Sequence, residues 1–294
     1  MVKKISEYQQ EANDLRIIHK DKLSTVLNLL VKISAFVTMT VLVIMIAYIL
    51  ITGIPNITLD QFALEYNTDN VSMMPAIINT LLYTVLSLLI ALPLGIGSAI
   101  YLVEYAKKGS KFVEIVRLTT ETLSGIPSII FGLFGYLFLC IFCGLGYSLL
   151  SGVITLSIII LPLIMRTTEE ALRAVPDSYR EGSYGLGAGK VRMIFKIILP
   201  SATGGILNGI ILSIGRIVGE SAALIYTAGT LPNIAIDIMQ SGRSLSVHMY
   251  ALLSEGLYTN QAYATAVVLL LMVMMINFAS NKIVKHMGGK NEQN

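Results

Sequence analysis

Charge is scarce in this chain of 294 residues: Asp, Glu, Lys and Arg make up only 13% of it. A soluble domain carries roughly 25%, so the chain has too few polar residues to coat a water-facing surface. Cysteine is nearly absent, with two residues, Cys140 and Cys143, and no disulfide framework is implied. The Cys140-Ile141-Phe142-Cys143 spacing lies inside an apolar run, so both thiols are expected to be small buried apolar groups rather than redox or metal ligands. Only three histidines occur, His19, His248 and His286, far apart in sequence and without evident partners, so no metal or cofactor site is readable. Net charge is +3, too small to imply a nucleic-acid partner. The N-terminus shows no short apolar core followed by a small-residue cleavage site, so a removed signal peptide is not expected.

Apolar sequence is abundant instead. Hydrophobic residues account for 54% of the chain, and the mean hydropathy is +0.73. A membrane-spanning helix needs roughly 20 predominantly apolar residues. Six segments qualify, at about 33–51, 76–103, 122–143, 147–165, 202–226 and 262–281. The third and fourth form one uncharged stretch, too long for one span, broken at Gly144, Gly146 and Ser151-Gly152. The expected fold is therefore all-α and membrane-embedded, with residues 1–32 as an N-terminal tail, 33–281 as the membrane domain and 282–294 as a C-terminal tail.

Lys and Arg concentrate on the cytoplasmic side of membrane proteins. Here the first tail short of Lys32, the loop holding Lys107, Lys108, Lys111 and Arg117, the loop at 166–199 and the last tail contain 18 of the 21 basic residues, with Lys32 and Arg216 within or at the edges of spans. The opposite side holds only Arg243. Both termini are accordingly expected in the cytoplasm. Residues 52–75 and 227–261 then lie outside, the latter with a short surface helix at 244–253.

The loop between the fourth and fifth spans carries the most information. Pro176 marks a helix start, and Asp177 and Glu181 suit its positive end. Gly185, Gly187 and Gly189 end that helix and permit a sharp turn. Residues 191–199 read as a second, amphipathic helix with Arg192 and Lys196 on its polar side. Gly187-Ala188-Gly189-Lys190 is not a phosphate-cradling loop, because Tyr184 and Val191 stand where Gly and Ser or Thr are needed. Energy must then come from a partner.

Within the fifth span, Ser201, Gly205, Gly209 and Ser213 recur every four residues and allow a neighbouring helix to approach closely. Arg216 and Glu220 lie one helical turn apart on the same face of that span. A charge inside a span costs about 2.5–3.5 kcal/mol on insertion scales. The two residues are either a self-neutralising ion pair or a station for an anion, with Arg216 as its ligand and Glu220 as its orienting partner. Glu104 and Glu121 fall at span ends and read as interfacial. Pro93 and Pro127 are expected to kink their spans.

Glu181-Gly182-Ser183, Gly187 and Ile197-Ile198-Leu199-Pro200 resemble the coupling loop of ABC-importer permeases: Glu-Ala-Ala, three residues, Gly, nine residues, then Ile-x-Leu-Pro. Gly182 and Ser183 replace the two alanines. The segments 125–135, 166–180 and 215–221 further resemble phosphate ABC permeases of the PstA type, over about residues 75–280. That resemblance implies a type I importer fold with a MetI-like transmembrane domain. It also implies a second homologous permease subunit, two ATP-binding subunits, an external phosphate-binding protein and no catalysis in this chain. Glu181, Gly182, Ser183, Gly187, Leu199 and Pro200 would then couple to the ATPase, and Arg166 with Arg216 would line the phosphate path. Arg166 also has a plain reading as a charge at a span end. Two alternatives stay open: a permease for sulfate, molybdate or an amino acid, and an ion-driven transporter acting alone. The latter calls for inverted repeats or several buried carboxylates, and leaves the 166–200 loop unexplained.

Overall fold

The structure, a computed structural model, describes residues 22–107 and 109–288. Lys3, Lys4, Arg16, Lys20, Lys108 and Lys290, on which part of the charge asymmetry rests, lie outside the described residues. Among the described residues the secondary structure is helical, without strands. Eleven helices follow one another: α1 Lys22–Gly53, α2 Met74–Ile100, α3 Lys111–Ser124, α4 Ser128–Gly135, α5 Leu149–Ala174, α6 Asp177–Gly185, α7 Lys190–Met193, α8 Leu199–Gly219, α9 Ala222–Thr227, α10 Leu245–Glu255 and α11 Thr259–Gly288. π-helical turns extend α2 through Tyr101–Tyr105, extend α4 through Tyr136–Phe142 and join α7 to α8 through Ile194–Ile198.

Among the described residues five helices are long and apolar enough to cross a membrane, and a bent pair would supply a sixth. That pair corrects the expected third span. The chain turns by 101° between α3 and α4, because Gly125 ends α3 and Pro127, with φ −58 and ψ 140, caps α4. The fifth span also differs. Its helix does not start afresh after a separate amphipathic segment: Lys190–Gly219 is continuous, and it stops at Gly219 rather than reaching Tyr226.

By internal packing the chain divides at Ile51. Up to that point α1 is exposed and apolar on all sides, with Phe36 and Val31 among its uncovered side chains. From Thr52 onward α2, α3, α4, α8 and α9 pack around α5, while α10 and α11 pack on each other and on α8. α5 packs on α2 and α8 and is buried over most of its length. Its Leu156, Ile160 and Ile164 share a core with Tyr83 of α2, Ile217 of α8 and Leu224 of α9. A second core of Leu102, Val113, Met165, Leu172, Met193, Ile194 and Ile198 fills the end where α2, α5 and α8 meet the 175–198 segment.

In an apolar surround every backbone group needs an internal partner. The loop after α9 meets this need by folding back into the bundle. Its Gln240 and Ile238 carbonyls accept from the amides of Leu149 and Leu150 at 2.8 and 2.9 Å, capping α5. Asn79 on α2 donates to the Asn233 and Arg243 carbonyls at 2.9 and 3.1 Å and accepts from Ala235 N at 3.0 Å. Tyr83 Oη donates to the Gly242 carbonyl at 2.8 Å. α10, expected as a surface helix, is therefore an inserted one: Leu245, Val247, His248 and Leu252 are all buried.

Candidate functional site

The 175–198 segment forms a helical hairpin whose turn follows from its glycine. α6 starts with Asp177 behind Pro176 and ends at Gly185. Gly187 has φ +77, and its amide donates to the Tyr184 carbonyl at 2.9 Å while Ala188 N reaches the Ser183 carbonyl at 3.0 Å. This pair of bonds is a Schellman cap, which calls for a left-handed residue that glycine supplies without strain. At the tip Leu186 is 91% exposed, flanked by exposed Tyr184, Val191 and Phe195. Glu181, Gly182, Gly187 and Pro200 are exposed, Leu199 is half-buried, and Ser183 is buried with its hydroxyl on the Tyr179 carbonyl. Ser183 therefore packs the hairpin base.

Glu104 is not a simple interfacial charge. Its carboxylate is 6% exposed and takes two bonds from Arg180 of α6, Nη2 at 2.8 Å and Nε at 3.0 Å. Arg180 also donates to the Val175 and Leu172 carbonyls, each at 2.9 Å. Lys190 of α7 sits 4.7 Å from the Tyr105 ring centre.

Arg216 and Glu220 are not brought together. α8 ends at Gly219, and Glu220 has extended backbone with φ −74 and ψ 125, so the geometry that would share one face is lost. Glu220 is 8% exposed; its Oε1 accepts from Ala223 N at 3.1 Å, and its carbonyl accepts from the Ser246 hydroxyl. The carboxylate thus starts α9 rather than pairing with the arginine. Arg216 occupies the last turn of α8, where a cation suits the negative helix end. It is half-buried and has no hydrogen-bond or ion-pair partner among the described residues. Neighbouring Gly215 and Gly219 face open space, and Gly204, Asn208 and Leu212 leave the same helix uncovered along its length.

Arg166 lies elsewhere, in a cleft of about 230 Å³ lined by Arg117, Glu121, Glu169, Glu170 and Arg173. It pairs with Glu170 at 3.0 Å, while Glu169 holds Arg117 and Arg173, each at 2.8 Å. Thr167 packs on Gly209 of α8. Arg216 is two turns beyond Gly209, so the two arginines differ in depth by about 10 Å at 1.5 Å per residue.

A buried pair at the other end of the bundle escaped sequence reasoning. Arg243 is 5% exposed, stacks 4.8 Å from the Tyr66 ring centre and leaves Nε and Nη2 without hydrogen-bond partners among the described residues. Tyr66 meets His248 edge-on, centroids 6.2 Å apart. Burial, aided by the Arg243 charge, pushes the His248 imidazole down to about 3, and burial lowers the Arg243 guanidinium from its ordinary range. The isolated His248 and Arg243 gave no sequence signal, because Tyr66 is far away along the chain. The two cysteines diverge: Cys140 is buried as expected, and Cys143 is exposed.

Comparison with known proteins decides the family. The pattern described as "Binding-protein-dependent transport system inner membrane component" matches residues 91–290. The chain belongs to this family. As a permease subunit it carries no ATPase of its own, in keeping with its membrane helices. The permease is 30% identical over 269 residues to the "Probable ABC transporter permease protein YqgI" of Bacillus subtilis (strain 168), covering 84% of this chain and 90% of the relative. It is 35% identical to the "Phosphate transport system permease protein PstA" of Mycobacterium leprae (strain TN), covering 69% and 67%. With the protein of the same description from Yersinia pestis it shares 36% identity, over 74% of each chain. Its fold matches a chain from a bacterial ABC transporter involved in the import of the acidic polysaccharide alginate, at a TM-score of 0.64 and 18% identity, covering 91% of this chain and 97% of that one. A chain of the MetNI methionine ABC transporter in an inward-facing conformation matches at a TM-score of 0.58 and 22% identity, covering 72% and 93%. The permease thus has the type I importer fold.

Proposed function

We propose that this permease forms the membrane path of an ATP-driven importer of inorganic phosphate, with both termini in the cytoplasm. The observation that carries the reading is Arg216: a half-buried guanidinium inside a membrane helix, unpaired among the described residues, beside two glycines open to space. A membrane arginine is costly unless it faces a path or a partner, and its planar fork matches an oxyanion through two bonds. The identity to phosphate transport permeases supports the same solute.

The uncovered face of α8 suits a second, homologous permease subunit, so that the path runs between two chains. The exposed tip around Leu186 suits a groove on an ATP-binding subunit, one for each permease. An external phosphate-binding protein delivers the solute. ATP-driven closure of the two ATPases moves the hairpins, the bundles rock, and phosphate passes Arg216 and then Arg166 toward the cytoplasm. Glu220 supports this path indirectly, by fixing the break after Gly219.

The test is uptake of labelled phosphate in cells lacking this chain, restored by the plasmid-borne gene, with sulfate, molybdate or amino acids in excess. Restored uptake that these solutes leave intact supports the reading. Restored uptake of sulfate, molybdate or an amino acid instead of phosphate overturns the assignment of solute.

A further inference from the structure

We propose that Glu104 and Tyr105, at the end of α2, are the point where the hairpin's movement enters the membrane bundle, making α2 the rod that carries it to the opposite mouth. The inference rests on the import reading above and assigns a positioning role to residues outside the solute path.

Each leg of the hairpin is tied to one of these two neighbours. From α6, Arg180 donates Nη2 and Nε to Glu104 at 2.8 and 3.0 Å. From α7, Lys190 stands over the Tyr105 ring at 4.7 Å. The Arg180–Glu104 pair is shielded, with side chains 16% and 6% exposed, so water and salt screen it little. Arg180 spends its remaining donors on Leu172 and Val175 at the end of α5 and on Asp177. One side chain therefore joins the hairpin, the central helix and α2. A planar guanidinium with its donors occupied has little freedom to swivel, so displacement of α6 is passed on rather than absorbed.

The other end of α2 completes the linkage. Asn79 holds the carbonyls of Asn233 and Arg243, Thr80 receives Leu245 N at 2.8 Å, and Tyr83 holds Gly242. The re-entrant loop and α10 thus hang on α2 through side chains in its first three turns. Leu231, exposed beside this loop, lines a cleft of about 690 Å³ at the mouth. A push at Glu104 has a bonded route to that cleft. The π-helical turn Tyr101–Tyr105 lies at the receiving end, and such turns are frequent at functional sites.

The experiment uses the complete transporter in liposomes, with a spin label at Leu231→Cys in a Cys140→Ala, Cys143→Ala background. Three quantities are read: ATP hydrolysis, the nucleotide-driven change in the label's spectrum, and phosphate moved per ATP. Glu104→Gln is expected to assemble and to hydrolyse ATP within about twofold of the parent. Its spectral response and its phosphate per ATP are expected to drop about tenfold, the size of an ordinary coupling free energy. If Glu104→Gln fails to assemble, Glu104→Asp takes its place, with the same loss of response expected from its shorter reach. A full spectral response in the assembled variant, or hydrolysis and transport falling in parallel, overturns the proposal. The label's response does not involve the solute, so a parent that responds to nucleotide without moving phosphate contradicts the phosphate reading alone.

Discussion

Gly209 of α8 and Thr167 of α5 touch so closely that a Cβ on the glycine would lie 2.0 Å from the threonine hydroxyl oxygen and 2.8 Å from its Cβ. Gly205 bears the same relation to Ala171, one turn earlier. The four-residue recurrence of small side chains thus sets the distance between the central helix and the helix that carries Arg216.

Gly209→Ala should force the two helices apart, costing about 1–3 kcal/mol as an overpacked contact. The thermal midpoint of the purified permease in detergent reports it. Adding Thr167→Ala should recover part of the loss. A Gly209→Ala protein as stable as the parent would mean the two helices separate freely.

Gly187 carries the second backbone-dependent expectation. Its φ of +77 costs an ordinary residue about 1–2 kcal/mol, and a β-branched one most. Gly187→Val should therefore loosen the cap, accelerate hydrogen exchange at the Gly187 and Ala188 amides and lower uptake. Gly187→Asn, which tolerates the left-handed region, should fall between the two. Equal exchange in all three proteins would show that the turn does not depend on this bond pair.

These two glycines were legible from sequence, and their surroundings explain why. Spacing along one helix reports on that helix, and a glycine at a turn reports on its own φ. The break after Gly219 was hidden, because a glycine within an apolar run reads the same whether it packs or ends the helix. What stops α8 is Glu220 capping α9 and receiving Ser246, a residue 26 positions away. The insertion of α10 depends on Thr80, 165 positions from Leu245, and Glu104 meets Arg180 across 76. Long-range pairings of this kind leave no local pattern, so apolar periodicity located the helices while their polar fastenings emerged only from the fold.

His248 gives a pH dependence with a definite sign. Burial and Arg243 hold its imidazole near 3 in the folded protein, below the ordinary value of 6.5. Below pH 6.5 the unfolded chain takes up a proton that the folded chain refuses, so stability declines as pH drops from about 6.5 toward 3. At pH 5 this amounts to about 2 kcal/mol, by 1.36 kcal/mol per pH unit. His248→Phe should lose less stability than the parent between pH 7 and pH 5, measured by thermal midpoint at each pH. An identical decline in both proteins would show that the histidine does not contribute.

The central claim concerns the unpaired guanidinium of α8, and phosphate uptake with substitutions at Arg216 tests it most directly. In cells lacking the native chain, Arg216→Gln should assemble with its partners yet leave uptake at the level of cells without the permease. Arg216→Lys, keeping the charge without the fork, should restore only a part. Uptake by assembled Arg216→Gln at the parent's rate would contradict the account.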